Sequence, residues 1–233
     1  MRLGVLRTGA PPPRVQGFGS YPDMFRKLLG EDIDYAVFAA DEGELPSAPE
    51  ACDAYLITGS SAGVYDPLPW IAPLKAFLLR AKGRARLVGI CFGHQLLAET
   101  FGGRVIKSPK GWGLGEQTYA IAGREPWMDP GARQIRLPAS HQDQVVEPPP
   151  GAVVIAGNAF APIGALAWRD QPAISLQLHP EFEPAYAIAL LEARRGRLLT
   201  DDETDRAIAS FRAPDDRARV GGWLRRFLAD AAR

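Results

Sequence analysis

This sequence is poor in the residues that most often carry chemistry: its 233 residues include two cysteines, Cys52 and Cys91, and three histidines, His94, His141 and His179. Two cysteines cannot build a disulfide framework, and they suit a reducing compartment in which a thiol stays free to react. Charge of one sign is not in excess either, with 27 Lys plus Arg against 27 Asp plus Glu. No overall field therefore gathers nucleic acid or holds the chain on an acidic membrane. No run approaches the roughly 18 apolar residues of a membrane span. The amino terminus, Met1 to Arg7 followed by Pro11-Pro12-Pro13, is unlike a secretory signal. Internal repeats, low-complexity tracts and linker-like breaks are missing. We expect a soluble, cytoplasmic α/β domain whose partners are small molecules, with no nucleic acid and no membrane.

What is present is an alternation of short β-rich runs and helical patterns. Leu3 to Leu6, Ile33 to Phe38, Ala54 to Thr58 and Leu87 to Ile90 read as strands. Asp23 to Leu29 is amphipathic, and Trp70 to Ala81 places Ile71, Leu74, Phe77 and Leu78 on one helical face. This order predicts a single domain with a central, mostly parallel sheet between helices. From Val105 to Leu178 little reads as helix. Tyr119 to Ala122, Gln134 to Leu137, Val153 to Ala156, Ala165 to Trp168 and Ile174 to Leu178 are strand candidates that add antiparallel strands. After Pro184 the pattern is helical to the end. Val220, Trp223, Leu224, Phe227 and Leu228 form a stripe suited to core contact or, alternatively, to an oligomer interface. We expect the main domain over 1–196 and a C-terminal helical extension, 197–233, packed on it.

The chemistry is concentrated in two segments. Gly89-Ile90-Cys91-Phe92-Gly93 joins a strand candidate to a helical one and is the thiol counterpart of the Gly-x-Ser-x-Gly nucleophile elbow. Cβ atoms on the neighbours would crowd so sharp a turn and the incoming substrate, and the following helix N-terminus favours thiolate and oxyanion. The bland alternative is a buried, inert cysteine, which is the reading we give Cys52. His94 lies three positions past Cys91 and suits a structural contact. His179 follows an apolar strand candidate and begins His179-Pro180-Glu181, where proline restrains His179 to extended geometry and residues two apart project to one side. A carboxylate so placed can orient the imidazole. A surface His and Glu flanking a turn proline is the alternative.

Together, Gly89-Ile90-Cys91-Phe92-Gly93-His94-Gln95 and Gln177-Leu178-His179-Pro180-Glu181-Phe182 resemble the paired signatures of class I (triad) glutamine amidotransferases. The resemblance runs from about Ile33 to about Pro184. It implies a flavodoxin-like fold with Cys91 as nucleophile, His179 as general base and acid, and Glu181 as the orienting carboxylate. It further implies an oxyanion hole from the backbone N–H of Phe92 and that of Gly59 or Ser60. Gln95, Ser140 and His141 would contact substrate. The expected reaction is cysteine-dependent hydrolysis of the side-chain amide of glutamine or a γ-glutamyl compound, with no metal and no cofactor. Gly59-Ser60-Ser61 stands where many relatives carry a Gly-Gly-Pro type turn. No Gly-x-x-x-x-Gly-Lys-Ser/Thr loop occurs, so a nucleotide-activating half is not expected here. The chain most resembles single-domain relatives of the GMP synthetase glutaminase and of plant γ-glutamyl peptidases. Two alternatives are a glutaminase subunit feeding ammonia to a separate synthetase and a non-catalytic binding or regulatory module.

Overall fold

The computed structural model describes residues 1–211 and 214–229. In chain order, β1 (Arg2–Arg7), α1 (Tyr21–Leu29), β2 (Asp34–Ala39), β3 (Ala54–Ile57), α2 (Ile71–Ala81), β4 (Arg86–Ile90) and α3 (Phe92–Thr100) alternate strand and helix. Seven strands follow: β5 (Arg104–Lys107), β6 (Gly113–Ile121), β7 (Gln134–His141), β8 (Asp143–Glu147), β9 (Ala152–Gly157), β10 (Ala165–Trp168) and β11 (Ala173–Leu176). Three helices close the described chain: α4 (Pro184–Arg194), α5 (Asp201–Ala209) and α6 (Arg217–Ala229).

Nine strands form one sheet in the order β2-β1-β3-β4-β11-β10-β9-β6-β7. Pairings from β2 through β11 are parallel, and those from β11 to β7 are antiparallel. The expected parallel sheet with added antiparallel strands is therefore present. The parallel strands are covered on both faces, as βαβ connections require. Leu3, Val5, Leu56, Val88 and Ile90 pack with Phe25 and Leu29 of α1 and with the α6 stripe. Leu6, Tyr55, Ile57 and Leu87 pack on the opposite face with Leu74 and Phe77 of α2 and Leu96 of α3. Strand alternation sorts these residues to their two layers.

Local chemistry sets several boundaries that periodicity missed. Helix α1 begins at Tyr21, two residues before the expected Asp23, because Ser20 and Asp23 form a capping box. The helical run after Pro184 is divided, and a second capping box between Thr200 and Glu203 starts α5. Strands β5 and β8 escaped the sequence reading. They are short and pair only with each other, with Val105 opposite Val145.

Helix α6 settles the choice left open for its apolar stripe. Val220, Trp223, Leu224, Phe227 and Leu228 are all buried in the same core as the sheet, and Trp223 meets Trp127 edge to face at 6.3 Å. Among the described residues no helix is long and apolar enough to cross a membrane. Trp223→Ala is expected to lower unfolding free energy by about 3–5 kcal/mol, the usual cost of truncating a buried tryptophan, as read by denaturant titration. A loss below about 1 kcal/mol would mean that the sheet is stable without α6.

Candidate active site

Neighbouring parallel strands bring the two sequence segments together. β4 and β11 pair in register, Ile90 opposite Leu176, so the residues after each emerge side by side at the carboxyl edge, where open α/β sheets place their ligands. Cys91 follows β4 directly, and its N–H donates to the Leu176 carbonyl at 2.8 Å. Its backbone lies at φ 52°, ψ −102°. Among the described residues it is the one non-glycine with positive φ, a conformation costing about 1–3 kcal/mol that the surroundings must enforce.

Two glycines allow that turn. A Cβ at Gly89 would fall 2.3 Å from the Gly93 carbonyl oxygen, and one at Gly93 would fall 2.4 Å from that of Ile57. The first turn of α3 thus lies directly on β3 and β4. The closest crowding relieved is between backbone and backbone.

Beyond β11 the chain crosses toward β7. Gln177 N–H donates to the Gly164 carbonyl at 2.8 Å, and His179 N–H donates to Pro138 of β7 at 2.9 Å. Arg217 Nε of α6 donates to the Pro180 carbonyl at 3.0 Å. His179 and Glu181 project to one side, and Nδ1–H of His179 donates to Glu181 Oε1 at 2.7 Å. Both residues are buried, and the Phe182 ring stacks on the imidazole with centroids 3.9 Å apart and planes 5° from parallel. A Cβ at Gly59 would lie 3.1 Å from His179 Cε1 and 3.8 Å from Cys91 Cβ, so imidazole and cysteine flank the same glycine. Burial disfavours the charged imidazole. The Glu181 carboxylate and Cys91 outweigh that penalty and raise the His179 pKa to about 10.

The other histidines lack such a partner. His94 is fully enclosed, with Nε2–H donating to Ile163 O at 3.0 Å and Nδ1 accepting from Ser175 Oγ at 2.8 Å. Burial lowers its pKa to about 3, and its role is the structural contact expected. His141 donates through Nδ1–H to Asp143 O at 3.1 Å, and burial lowers its pKa to about 4. Its Nε2 is buried without a protein partner. Cys52 is buried beside Tyr55, remote from this chemistry.

Around Cys91 the surface forms a two-lobed cavity. One lobe, about 290 Å³, is lined by Gly59, His179, Phe182, Tyr21 and Leu190. The other, about 370 Å³, is lined by Gln95, His141, Asp143, Asp66, Lys107 and Trp112. Ser60, Ser61, Cys91, Ser140 and Arg194 border both. Phe92 has a buried side chain and opens α3, so its amide is one of the donors a helix start leaves unpaired. Thr8 Oγ1 lies 3.0 Å from the Thr58 carbonyl and 3.1 Å from that of Gly59, fixing the loop after β3. Among the described residues no group of three or more His, Cys, Asp or Glu side chains is placed to hold a metal.

The sequence reading assigned no role to Gln177 or Arg194. Gln177 Nε2 donates to Cys91 Sγ at 3.6 Å, and its Oε1 accepts from Gln95 Nε2 at 3.2 Å. Gln95 spends its other N–H on Asp143 O at 2.9 Å, so only its Oε1 remains for a ligand. Gln177 lies in the bend just past β11, two residues before His179, and its place in the Gln-Leu-His-Pro-Glu-Phe signature is the signal that could have exposed it. Arg194 ends α4 and donates to Ser140 Oγ at 2.5 Å; nothing in the sequence separates it from its neighbour Arg195.

Known proteins resemble this chain in sequence and in fold. The chain is 29% identical over 174 residues to gamma-glutamyl peptidase 4 of Arabidopsis thaliana, covering 71% of this chain and 69% of that protein. It is 36% identical over 171 residues to a glutamine-hydrolyzing GMP synthase of Thermus thermophilus, covering 72% of this chain but 32% of that protein. The fold superimposes on a glutamine amidotransferase from Thermotoga maritima with a TM-score of 0.76 at 17% identity, over 99% of both chains. Residues 30–191 match the sequence profile of the family Glutamine amidotransferase class-I. That match takes in most of the chain, from just before β2 through the cysteine turn and the His-Pro-Glu segment into α4, and the protein belongs to the class-I glutamine amidotransferases.

Proposed function

We propose that this protein hydrolyses the side-chain amide of glutamine or a γ-glutamyl compound through a γ-glutamyl thioester on Cys91. The observation that carries this reading is the strained cysteine at the start of α3 beside a buried, hydrogen-bonded His179 and Glu181. In this reading Cys91 Sγ, its proton held on His179 Nε2, attacks the amide carbonyl carbon. The developing oxyanion is received by Phe92 N–H and by Gly59 or Ser60 N–H, each such donor being worth about 3 kcal/mol. The C–N bond breaks as His179 delivers its proton to the leaving nitrogen. Water then gives a proton back to His179 and attacks the thioester, releasing a γ-carboxylate and restoring the thiol. Glu181 holds the imidazole with Nε2 toward the cysteine, and Gln177 steadies the sulfur. Gln95, Ser140 and His141 bind the amino-acid end. The steps as written use no cofactor or metal. Two buried, free cysteines suit a reducing cytoplasm.

The likeness to a γ-glutamyl peptidase along most of that protein's length supports a free-standing hydrolase. A second reading rests on the GMP synthase, of which this chain matches a minor share: a glutaminase subunit that passes ammonia to a separate synthetase. The first should turn over unaided, whereas the second should be nearly silent without its partner. A binding module that merely retains the fold would have no use for a nucleophile held in a costly backbone conformation.

Cys91→Ala should reduce glutamate release from glutamine and γ-glutamyl peptides roughly a thousandfold or more, with the circular dichroism spectrum of the wild type. Substantial turnover by that variant would overturn the proposal. The raised His179 pKa means that its proton is retained through neutral pH and lost as pH rises through about 10, so kcat/KM should fall along an alkaline limb in that region. Glu181→Gln removes the charge that holds the proton and should move the limb down by about one pH unit or more. A limb that stays in place would show that Glu181 does not control His179.

A further inference from the structure

Arg194 is a cation at the cavity that forms no ion pair among the described residues. Its neighbour Arg195 pairs with Glu192, Asp201 and Asp205. Among the described residues Arg194 pairs with no carboxylate; its NH1 donates to the Ser140 hydroxyl, and its guanidinium lies over the Trp112 ring, 5.5 Å from the centroid. A guanidinium largely removed from water without a counter-charge is costly. Burial pulls its pKa downward, with Tyr21, Tyr186 and Cys91 opposing. Stacking and the serine contact also hold its planar donor fork in place before any ligand arrives, the arrangement that suits bidentate binding of a carboxylate.

Its position selects which carboxylate. The larger lobe already contains both signs, Asp66 and Asp143 against Lys107, enough to receive the ammonium and carboxylate of a glutamyl end. The smaller lobe contains His179, the proton donor to the leaving nitrogen in the mechanism above; apart from Cys91 its other lining is uncharged, apolar groups such as Phe182 and Leu190 and polar ones such as Tyr21 and Ser61, and it shares Arg194 with the larger lobe. Ammonia is the size of one water and needs only about 10–15 Å³ by such a measure, whereas this lobe offers about 290 Å³. A larger leaving group fits it, and the available charge is positive.

Resting on the hydrolase reading, we propose that Arg194 binds a carboxylate on the leaving amine, so that the substrates are γ-glutamyl amino acids or peptides in preference to glutamine. Arg194 is then a specificity residue that acts on the nitrogen side of the scissile bond.

The test compares kcat/KM for γ-glutamyl-alanine, γ-glutamyl-alanine amide and glutamine, using wild type, Arg194→Gln and Arg194→Lys. Wild type should favour the free carboxylate over its amide by about tenfold or more, the effect of one charge-assisted contact. Arg194→Gln should bring that ratio close to one, and Arg194→Lys should leave it between the two. A wild-type ratio near one overturns the inference without needing any variant. So does an equal loss on all substrates in Arg194→Gln, which would place Arg194 at the glutamyl end or in a structural role. Absence of turnover on all three substrates, together with failure of a glutamine-like electrophile to label Cys91, would instead sink the hydrolase reading itself.

Discussion

The site depends on how closely the first turn of α3 approaches the sheet. That approach is possible because Gly89 and Gly93 present no Cβ to the facing carbonyls of Gly93 and Ile57. With the helix pressed onto β3 and β4, the residue between strand and helix has no relaxed conformation available, and Cys91 takes positive φ. Packing elsewhere must compensate for this strain. The buried layers on both faces of the parallel strands supply that support, and the Cys91 N–H bonded to Leu176 ties the turn to β11.

A second constraint is electrostatic. All three histidines are buried, and burial alone would leave each neutral. His94 and His141 meet mainly backbone carbonyls or a hydroxyl and are pushed well below the ordinary histidine range. His179 meets a carboxylate held 2.7 Å away and goes the other way. The same residue type is held neutral or protonated according to one partner. The Phe182 ring against the imidazole keeps water from that face, which strengthens the pairing by lowering the local dielectric.

The cavity around this pair draws on distant parts of the chain. β7 holds His179 through Pro138, α6 holds Pro180 through Arg217, and α4 supplies Arg194. Helix α6, which lies beyond the match to the family profile, is therefore in contact with the loop that bears the imidazole. Helix α6 fills the core under the sheet with one face and reaches the site with its first residue.

How much of this could be read from the sequence follows the range of the forces involved. Strand and helix periodicity marked the parallel half, because each strand buries both faces and each helix one. The cysteine elbow and the His-Pro-Glu segment were legible because their chemistry is encoded in consecutive residues. Short strands β5 and β8 were missed because each has only its partner to define it, and the capped starts of α1 and α5 because a few side-chain hydrogen bonds overrode the apolar pattern. The sequence by itself marked the alternating strands and helices of the parallel half, the nucleophile candidate and the pairing of His179 with Glu181, although the segment that carries the pair is a turn beyond β11 and not the extended strand its spacing predicts. Only tertiary structure decided that His179 meets a carboxylate while His141 does not, that Gln177 reaches the sulfur, and that Arg194 borders the cavity while Arg195 pairs with acidic neighbours. The physical reason is that burial and charge pairing depend on residues far apart in the chain, which no local pattern records.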